Sequence, residues 1–442
     1  MRVREALGAR VAALVKNPLT TTHISQLLEW DAAGEWDVRT GAERGLTAEA
    51  VHAAALAQSA GWVHQWKARH YSGLLRLLVV CNGFEYPRNL DSALFDLVEA
   101  LQAHPQLNLT LWGPGWPLFA GGVSDNVGEN YVRTFGCHAF DVILFRGEAF
   151  KASACRGSAA VVVQDLEECY SPAGVGACVK TFYRHADVTM SAQASPLWEV
   201  FDLDKRVDLL DRRRLFVHNP HCSNDRLAAQ SLVPWGEKQQ GGNASAAASA
   251  AAAALPRYLT AASAAGATTA ASSSSGAAHA LASPPSITAP ATLTYAPTSQ
   301  PALENYSRAH SALYSALARA ALCSIDAPPT GNLPRSYPLA LSVGCPIATS
   351  SPPPQELLGL LSPALLSSRT GTGAGRRGAL SSAYALLVAR EHLMCTHRAE
   401  RLLDAVEQYL EGEVGYSYPF ETVVGCRRNK GFPLPHAWCA VD

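Results

Sequence analysis

Three acidic residues follow a short apolar stretch in the middle of the chain, and they could act as a general base. Asp165 directly follows the run AAVVVQ at 159–164, and Glu167 and Glu168 come two and three residues later. A carboxylate at a strand end can take a proton from a bound hydroxyl group, which is general-base chemistry. Three acids on one loop are more often solvated surface charges, so the sequence leaves both interpretations open.

Two histidines and one arginine offer further chemistry. His218 and His221 lie in VHNPHCSND, where the first half of the chain passes to the second. A metal site would need a third ligand, which the sequence does not offer nearby, so a hinge or cleft-lining role is favoured. Arg335, beside Tyr337, could bind a phosphate through two parallel hydrogen bonds. A single arginine in a loop is otherwise a surface charge.

The stretch 74–101 shows what kind of scaffold holds these residues. It opens with the unbroken apolar run 77–80, which is typical of a strand buried on both faces of a parallel sheet. The turn dipeptide Asn82-Gly83 ends the run, and apolar residues at helical spacing follow up to Leu101. We expect a strand–loop–helix unit with Asn82 and Gly83 at the carboxyl end of the strand, where α/β sheets bind ligands.

The same alternation continues along the chain. It predicts five more strands, at 107–111, 140–145, 159–164, 187–190 and 215–218. Strands alternating with helices indicate a parallel, doubly wound sheet in an α/β domain over 73–226. Their ends would gather along one edge of that sheet the residues Asn82, Trp112, Arg146, Asp165, Ser191 and His218. Neither GxGxxG nor GxxxxGK[ST] occurs there, which disfavours a dehydrogenase or a P-loop enzyme.

The rest of the chain divides by composition. Residues 1–72 are predicted to be helical and to pack onto the first domain. Residues 238–302 are rich in Ala, Ser, Gly and Thr, so we expect a disordered insertion. Structure resumes over 303–412, with short strands near 322–325 and 346–349 and one or two closing helices over 386–410. Residues 413–442 form a tail.

Charge and cysteine usage narrow the function classes. Lys plus Arg total 36 and Asp plus Glu total 37, which gives no reason to expect a nucleic-acid partner. No apolar run reaches 18 residues, so no transmembrane helix is predicted. The 11 cysteines form no CxxC pair, and we expect free thiols, no bound metal and a reduced, cytoplasmic protein. The Arg-containing amino terminus leaves organelle targeting open.

Several stretches together resemble the GT-B glycosyltransferases, most closely the CgeB-like and group-1-like families. In the first half these are VVCNGFEYPRNLDSALFDLVEAL, LTLWGPGW, FDVILF, VVVQDLEECY and LFVHNPHCSND. The later stretches YSRAHSALYSALARAALCSIDAP, YPLALSVGCPIATSSPP and AREHLMCTHRAERLL resemble the carboxyl-terminal module of those families. The resemblance covers roughly 74–226 and 303–408. It implies two Rossmann-like domains around a cleft, the second one reduced and interrupted by the low-complexity insertion.

The resemblance also implies a reaction and its residues. A sugar would pass from a nucleotide-sugar donor to an acceptor (a glycan, a protein or a small molecule), with no metal and no cofactor besides the donor. Asp165, Glu167, Glu168 and His221 would be catalytic. Arg335 would face the donor phosphates, above a turn formed by Ser342 to Cys345. The full expected donor-binding set is Asn82, Gly83, Arg335, Tyr337, Ser342, Gly344 and Thr349.

Two departures from the family pattern affect this expectation. The acidic residue that holds the donor ribose falls at Leu339, and Glu167 stands where the family has a histidine. A site without that acid is expected to bind the donor ribose poorly, so transfer should be weak. The alternative is a catalytically inert GT-B-like protein that binds a glycan or a protein. A flavodoxin-like or receiver domain over 73–220 would leave the second half unexplained.

Overall fold

The computed structural model of the chain describes thirteen segments. They are residues 18–32, 47–71, 73–81, 92–112, 136–146, 159–166, 186–192, 215–240, 311–320, 323–324, 336–348, 374–412 and 415–417. Most of the expected insertion and the tail after 417 lie outside them. The described helix that precedes the insertion runs through Gln240, so the predicted boundary at 238 falls inside this helix.

A parallel sheet of seven strands forms the first part of the fold. All six strands predicted from the apolar runs are confirmed, and a short seventh comes from the tail. In chain order they are β1 Leu75–Cys81, β2 Leu107–Trp112, β3 Val142–Arg146, β4 Val161–Asp165, β5 Val188–Ser191, β6 Leu215–His218 and β9 Gly415–Ser417. The protein is therefore an α/β protein, as expected.

The order of the strands reverses within the sheet. They lie side by side as β2-β1-β3-β4-β5-β6-β9, and every neighbouring pair is parallel. The order reverses at β1, since β2 lies on one side of it and β3 on the other. Such a reversal opens a crevice at the carboxyl ends of the strands, which is where open α/β sheets bind ligands. In this sheet the reversal lies where Val80 pairs with Phe145.

Both faces of the sheet are buried, which explains the continuous apolar runs. Along β1, Leu77 and Val79 face one core and Leu78 and Val80 the other. The first face is covered by helix α3 (Ser92–Gln102) and by the long helix α9 (Cys395–Glu411). α9 lies almost at the end of the described chain, yet its residues Ala399, Leu402 and Val406 pack into the core of the first sheet.

A second, smaller module has its own core. Its centre is a parallel pair, β7 (Cys323–Ser324) and β8 (Ile347–Ala348), with helix α7 (Ser336–Ser342) between them in the chain. Around it lie helix α6 at 311–319 and helix α8 (Ala374–Val388). The short strands near 323 and 347 and the closing helix α9 were predicted. Helix α8 was not, because it begins at Ala374, within the Gly-rich stretch 369–378 for which disorder was expected, and ends at Val388. A π-helical turn at Ala389–Leu393 separates α8 from α9.

The amino-terminal helices pack on this second module, so the expectation that they cover the first domain was wrong. They are α1 (Thr21–Ala32) and α2 (Ala48–Ala60), and both contribute to the core that contains α8. The reason lies in α8, whose residues 379–388 are all buried. A helix apolar on every side needs a cover on the face turned away from the strands. Helical periodicity in α1 and α2 cannot say which module they cover.

The segment 61–71 returns the chain from α2 to the first sheet and runs along α9. Arg69, which is almost fully buried, forms ion pairs with Glu400, Asp404 and Glu407 on successive turns of α9. Burial acts to raise the pKa of Glu400, but the His64 ring 3.6 Å away and hydrogen bonds from the Lys67 amide and Arg69 outweigh it and lower this pKa to about 2. The ion pairs therefore hold a carboxylate that stays charged throughout the physiological range.

Two further passages of the chain connect the modules, and they lie next to each other. It leaves the first sheet through 219–224, which leads to the short helices α4 (Asp225–Gln230) and α5 (Trp235–Gln240). It comes back through 389–395. The two passages lie side by side, because the Ser223 amide donates to the Leu393 carbonyl and the Cys395 amide donates to the Ser223 carbonyl. We call these two passages the double crossing.

Two disulfides between described cysteines overturn the expectation of free thiols. Cys222 is bonded to Cys395 within the double crossing, and Cys323 is bonded to Cys345 across the β7–β8 pair. Sequence could not reveal them, because cysteines 173 and 22 positions apart show no local pattern. A reduced state, and with it the cytoplasmic location inferred from free thiols, loses that support. Among the described helices none is long and apolar enough to cross a membrane.

We expect the two disulfides to stabilise the fold unequally. By loop-closure entropy, a bond spanning 173 residues contributes about 5 kcal/mol and one spanning 22 residues about 3 kcal/mol. The measurement is urea unfolding of Cys222→Ala/Cys395→Ala and Cys323→Ala/Cys345→Ala against the parent, with and without dithiothreitol. The first double variant should lose more stability, and the differences from the parent should shrink on reduction. Equal stabilities of parent and variants in oxidising buffer would contradict this.

Candidate functional site

Three polar residues end neighbouring strands at the carboxyl edge of the first sheet. Asp165, Ser191 and His218 close β4, β5 and β6, and all three are buried. They come together because parallel strands in register end at the same edge: Ser191 pairs with His218, and Asp165 with the residue before Ser191. The sequence predicted this gathering, and the structure confirms it for these three residues and for the buried Trp112 at the end of β2.

An arginine from α9 completes the edge, and the sequence analysis missed it. Arg398 is 1% exposed, and its Nη2 lies 3.5 Å from an Asp165 carboxylate oxygen. The Asn219 side chain donates to the Arg398 carbonyl, and the Asn219 amide donates to the Ser191 carbonyl. The first turn of α9 is thus fixed to the ends of β4, β5 and β6. A partner more than 200 residues away leaves no local signal.

The histidine at this edge has a defined tautomer. His218 Nε2 lies 3.1 Å from the Ala192 carbonyl oxygen, and because a carbonyl can only accept, Nε2 carries the proton. A ring whose Nε2 proton is already donated to the backbone can take a proton only at Nδ1. His221 lies three residues further on, buried within the double crossing, on the connection where the sequence analysis expected it. Glu167 and Glu168 lie outside the described residues, so their catalytic role stays a prediction.

The described members of the expected donor-binding set are buried in the second module. Tyr337 and Ser342 are both 0% exposed. The Ser342 hydroxyl donates to the Leu339 carbonyl and lies 2.7 Å from the Ser223 hydroxyl, which in turn lies 2.8 Å from Tyr314 Oη. This chain of hydroxyl groups joins the second module to the double crossing. The remaining members, Asn82, Gly83, Arg335 and Thr349, lie outside the described residues.

Gly344 has a structural reason to be glycine. It ends α7 with φ +67°, and the amide of Cys345 donates back to the Ala340 carbonyl, which is a Schellman helix end. A Cβ atom at this position would lie 2.8 Å from Ser382 Oγ and 2.9 Å from Leu386 Cγ. The predicted turn after Ser342 is present. What it contacts in the described part is the packed helix α8.

A buried lysine stabilises the same helix end. Lys238 on α5 is 0% exposed, and its Nζ donates to the carbonyls of Val343 and Gly344, both at 2.9 Å. Burial lowers the pKa of Lys238 to about 7. Carbonyl groups at the end of a helix attract cations, and this contact pins α5 to the end of α7. Lys238 falls within the stretch 238–302 that composition predicts to be disordered, so its contact with α7 was not predictable from sequence.

A serine and a histidine beside this lysine have the geometry of a nucleophile and its base, but not the chemistry. His52 Nε2 lies 3.0 Å from Ser382 Oγ, and both residues are buried. The Ser382 hydroxyl donates its proton to the Gly344 carbonyl, so His52 Nε2 must donate to Ser382. A base has to accept that proton. The pair therefore links α2 to α8 and does not activate a nucleophile.

Metal binding has no support within the described segments. Nowhere in them do three or more His, Cys, Asp or Glu side chains form a group that could hold a metal ion. The clustered histidines His64, His104 and His397 pack against each other and against Trp62 and Trp66 in tilted or edge-to-face arrangements, at ring-centroid distances between 4.5 and 5.9 Å. They form an aromatic contact between the segment 61–71 and α9.

Comparison of the chain with protein-family models, with curated proteins and with solved structures found no match.

Leu339 is a core residue, and this gives a first test of the site. It lies 6% exposed on α7 within the apolar core of the second module. A carboxylate there would be buried without a partner, so Leu339→Glu should lower the free energy of unfolding by about 3–5 kcal/mol. Leu339→Met, which keeps the volume, should lower it by less than about 1.5 kcal/mol. Urea unfolding measures both. A stable Leu339→Glu protein that binds a nucleotide sugar more tightly than the parent would contradict this placement.

Buried histidines predict a loss of stability in mild acid. Burial, with a smaller effect of the Lys238 charge, lowers the pKa of His52 from 6.5 to about 4, and burial lowers that of His397 to about 4. Between pH 6.5 and 4 the unfolded chain binds these protons and the folded protein does not. The free energy of unfolding therefore decreases as the pH is lowered through this range. Each histidine contributes up to about 1.4 kcal/mol per pH unit.

The amide variant of His52 isolates its share of this dependence. His52→Gln keeps a donor for Ser382 but does not titrate, so its unfolding free energy should fall less steeply between pH 6.5 and 4. His70→Gln, at an exposed position, is the matched control and should follow the parent. Thermal unfolding across this pH range measures all three proteins. An unchanged slope for His52→Gln would show that His52 takes up its proton in the folded state.

Proposed function

We propose that the chain is a GT-B-type glycosyltransferase that transfers a sugar from a nucleotide-sugar donor to an acceptor at the carboxyl edge of its first sheet. The observation that carries the proposal is the group of Asp165, Ser191, His218 and Arg398 at that edge. It lies beside the double crossing that leads to a second βαβ module. A parallel sheet with a polar carboxyl edge, facing a second small α/β unit, is the arrangement that the sequence resemblance implies. The acceptor is a glycan, a protein or a small molecule.

In this proposal Asp165 is the general base and Arg398 positions it. A base must take up a proton and release it again during turnover, and a neighbouring guanidinium orients the resting carboxylate. His221 and the acids Glu167 and Glu168 belong to the same proposed site. Arg335, Thr349, Asn82 and Gly83 stay the proposed contacts of the donor.

The second candidate is a catalytically inert GT-B-like protein that binds a glycan or a protein. The observation that favours it is the burial of Leu339, Tyr337 and Ser342 in the second core. A ribose is normally held by an acceptor that takes hydrogen bonds from its hydroxyl groups, each contributing about 1–3 kcal/mol. A leucine turned into the core supplies none. This candidate predicts that no nucleotide sugar binds.

Titration calorimetry against UDP-, GDP- and ADP-sugars separates the two candidates. A transferase should bind at least one donor and hydrolyse it slowly in the absence of acceptor. Asp165→Asn should keep most of the donor affinity but lower hydrolysis by about 100-fold or more, the usual contribution of a general base. Asp141→Asn is the matched control, because Asp141 pairs with Arg76 on the surface. Absence of binding by the whole panel would favour the inert protein.

A further inference from the structure

Arg390 is a buried cation at the double crossing with an unusual environment. It lies in the π-helical turn between α8 and α9 and is 3% exposed. The Trp62 ring covers its guanidinium at 5.7 Å, and Nη1 reaches the Met394 sulfur at 3.6 Å. Neither contact is an ion pair, and a thioether is a weak acceptor. π-helical turns interrupt helices at some cost and occur frequently at functional sites.

Two donors of this guanidinium are left open. Within the part of the chain that the structure describes, Nε and Nη2 of Arg390 are buried and have no hydrogen-bond acceptor. These two N–H groups are parallel, since Nη2 lies on the same edge of the guanidinium as Nε. That edge is the fork with which arginine binds two oxygens of one carboxylate or phosphate. The open donors are therefore arranged for one oxyanion.

Asp225, the described acid whose charge acts on Arg390, does not fill the fork. The oxygens of Asp225 accept hydrogen bonds from the Thr396 amide and hydroxyl, at 3.2 and 2.8 Å. Asp225 thus caps the beginning of α9, and its charge acts on Arg390 only through space. Burial lowers the pKa of Arg390, and Asp225 opposes this effect. A guanidinium still carries its charge at neutral pH, and a buried charge without a hydrogen-bonded partner is strongly unfavourable.

We propose that Arg390 binds an oxyanion, a phosphate or carboxylate group, through Nε and Nη2 at the double crossing. Water could accept the same hydrogen bonds but would leave the charge unbalanced. The side chains of the next two residues, Glu391 and His392, are 37% and 42% exposed, so the π-helical turn itself lies near the surface. The proposal does not rest on sugar transfer. In a transferase this site would offer a cation for a donor phosphate between the two modules.

The test uses the full chain in chloride buffer, titrated with inorganic phosphate and, separately, with acetate. The parent should bind one phosphate or one acetate per chain, and the better ligand identifies the class. Arg390→Met should abolish this binding. Arg390→Lys keeps the charge but loses the fork and should bind about tenfold more weakly or worse. Arg226→Met is the matched control: Arg226 is an exposed arginine paired with Glu99, and its loss should leave the affinity unchanged.

Two results would overturn the proposal. One is a parent that binds neither anion at about 10 mM, a concentration that detects even weak sites. The other is an Arg390→Lys variant that binds as well as the parent. If Arg390→Met does not fold, the Arg390→Lys comparison decides. Anion binding without turnover of any nucleotide sugar would leave this site standing while the proposed transferase fails.

Discussion

The double crossing is the constraint on which the rest of the structure depends. The chain leaves the first sheet at 219–224 and returns at 389–395, and backbone hydrogen bonds, a disulfide and the Asp225–Thr396 pair join the two passages. Because the returning passage is fixed there, α9 must begin beside the ends of β5 and β6. That start places Arg398 against Asp165. The positive charge at this edge of the sheet, Arg398, therefore comes from α9, a helix near the other end of the described chain.

The sequence predicted the features that depend on neighbouring residues. It did not predict those that depend on residues far apart in the chain. The six strands were predictable because each is a short apolar run that a sheet with two covered faces requires. The gathering of Asp165, Ser191 and His218 followed from parallel register alone. Arg398, Lys238 and the two disulfides were not predictable, because each depends on a partner that is distant in sequence. In the second module the two short strands were predicted. The packing of the amino-terminal helices α1 and α2 against it was not.

Individual residues show the same division within the proposed site. Leu339 was interpreted as a lost ribose ligand because a family pattern was placed on the sequence. In the structure its neighbours are core residues of α7 and α8, and a leucine there satisfies packing. Gly344 was placed in a donor-binding turn, and the turn exists, but its positive φ and the close approach of α8 already require glycine. The sequence thus placed Gly344 correctly in a turn, but the reason that glycine is required there is helix packing and not donor binding.

Buried cations connect the distant parts of this chain, and each is balanced in a different way. Arg69 is surrounded by three carboxylates of α9. Arg398 faces Asp165, and Lys238 binds helix-end carbonyls with its pKa lowered to about 7 by burial. Removing the partner of a buried charge is strongly destabilising, so such groups fix one arrangement of the pieces they join. Arg390 departs from this pattern within the described residues: its fork is open where the two modules meet. A charge left in that state is better explained by a ligand than by folding.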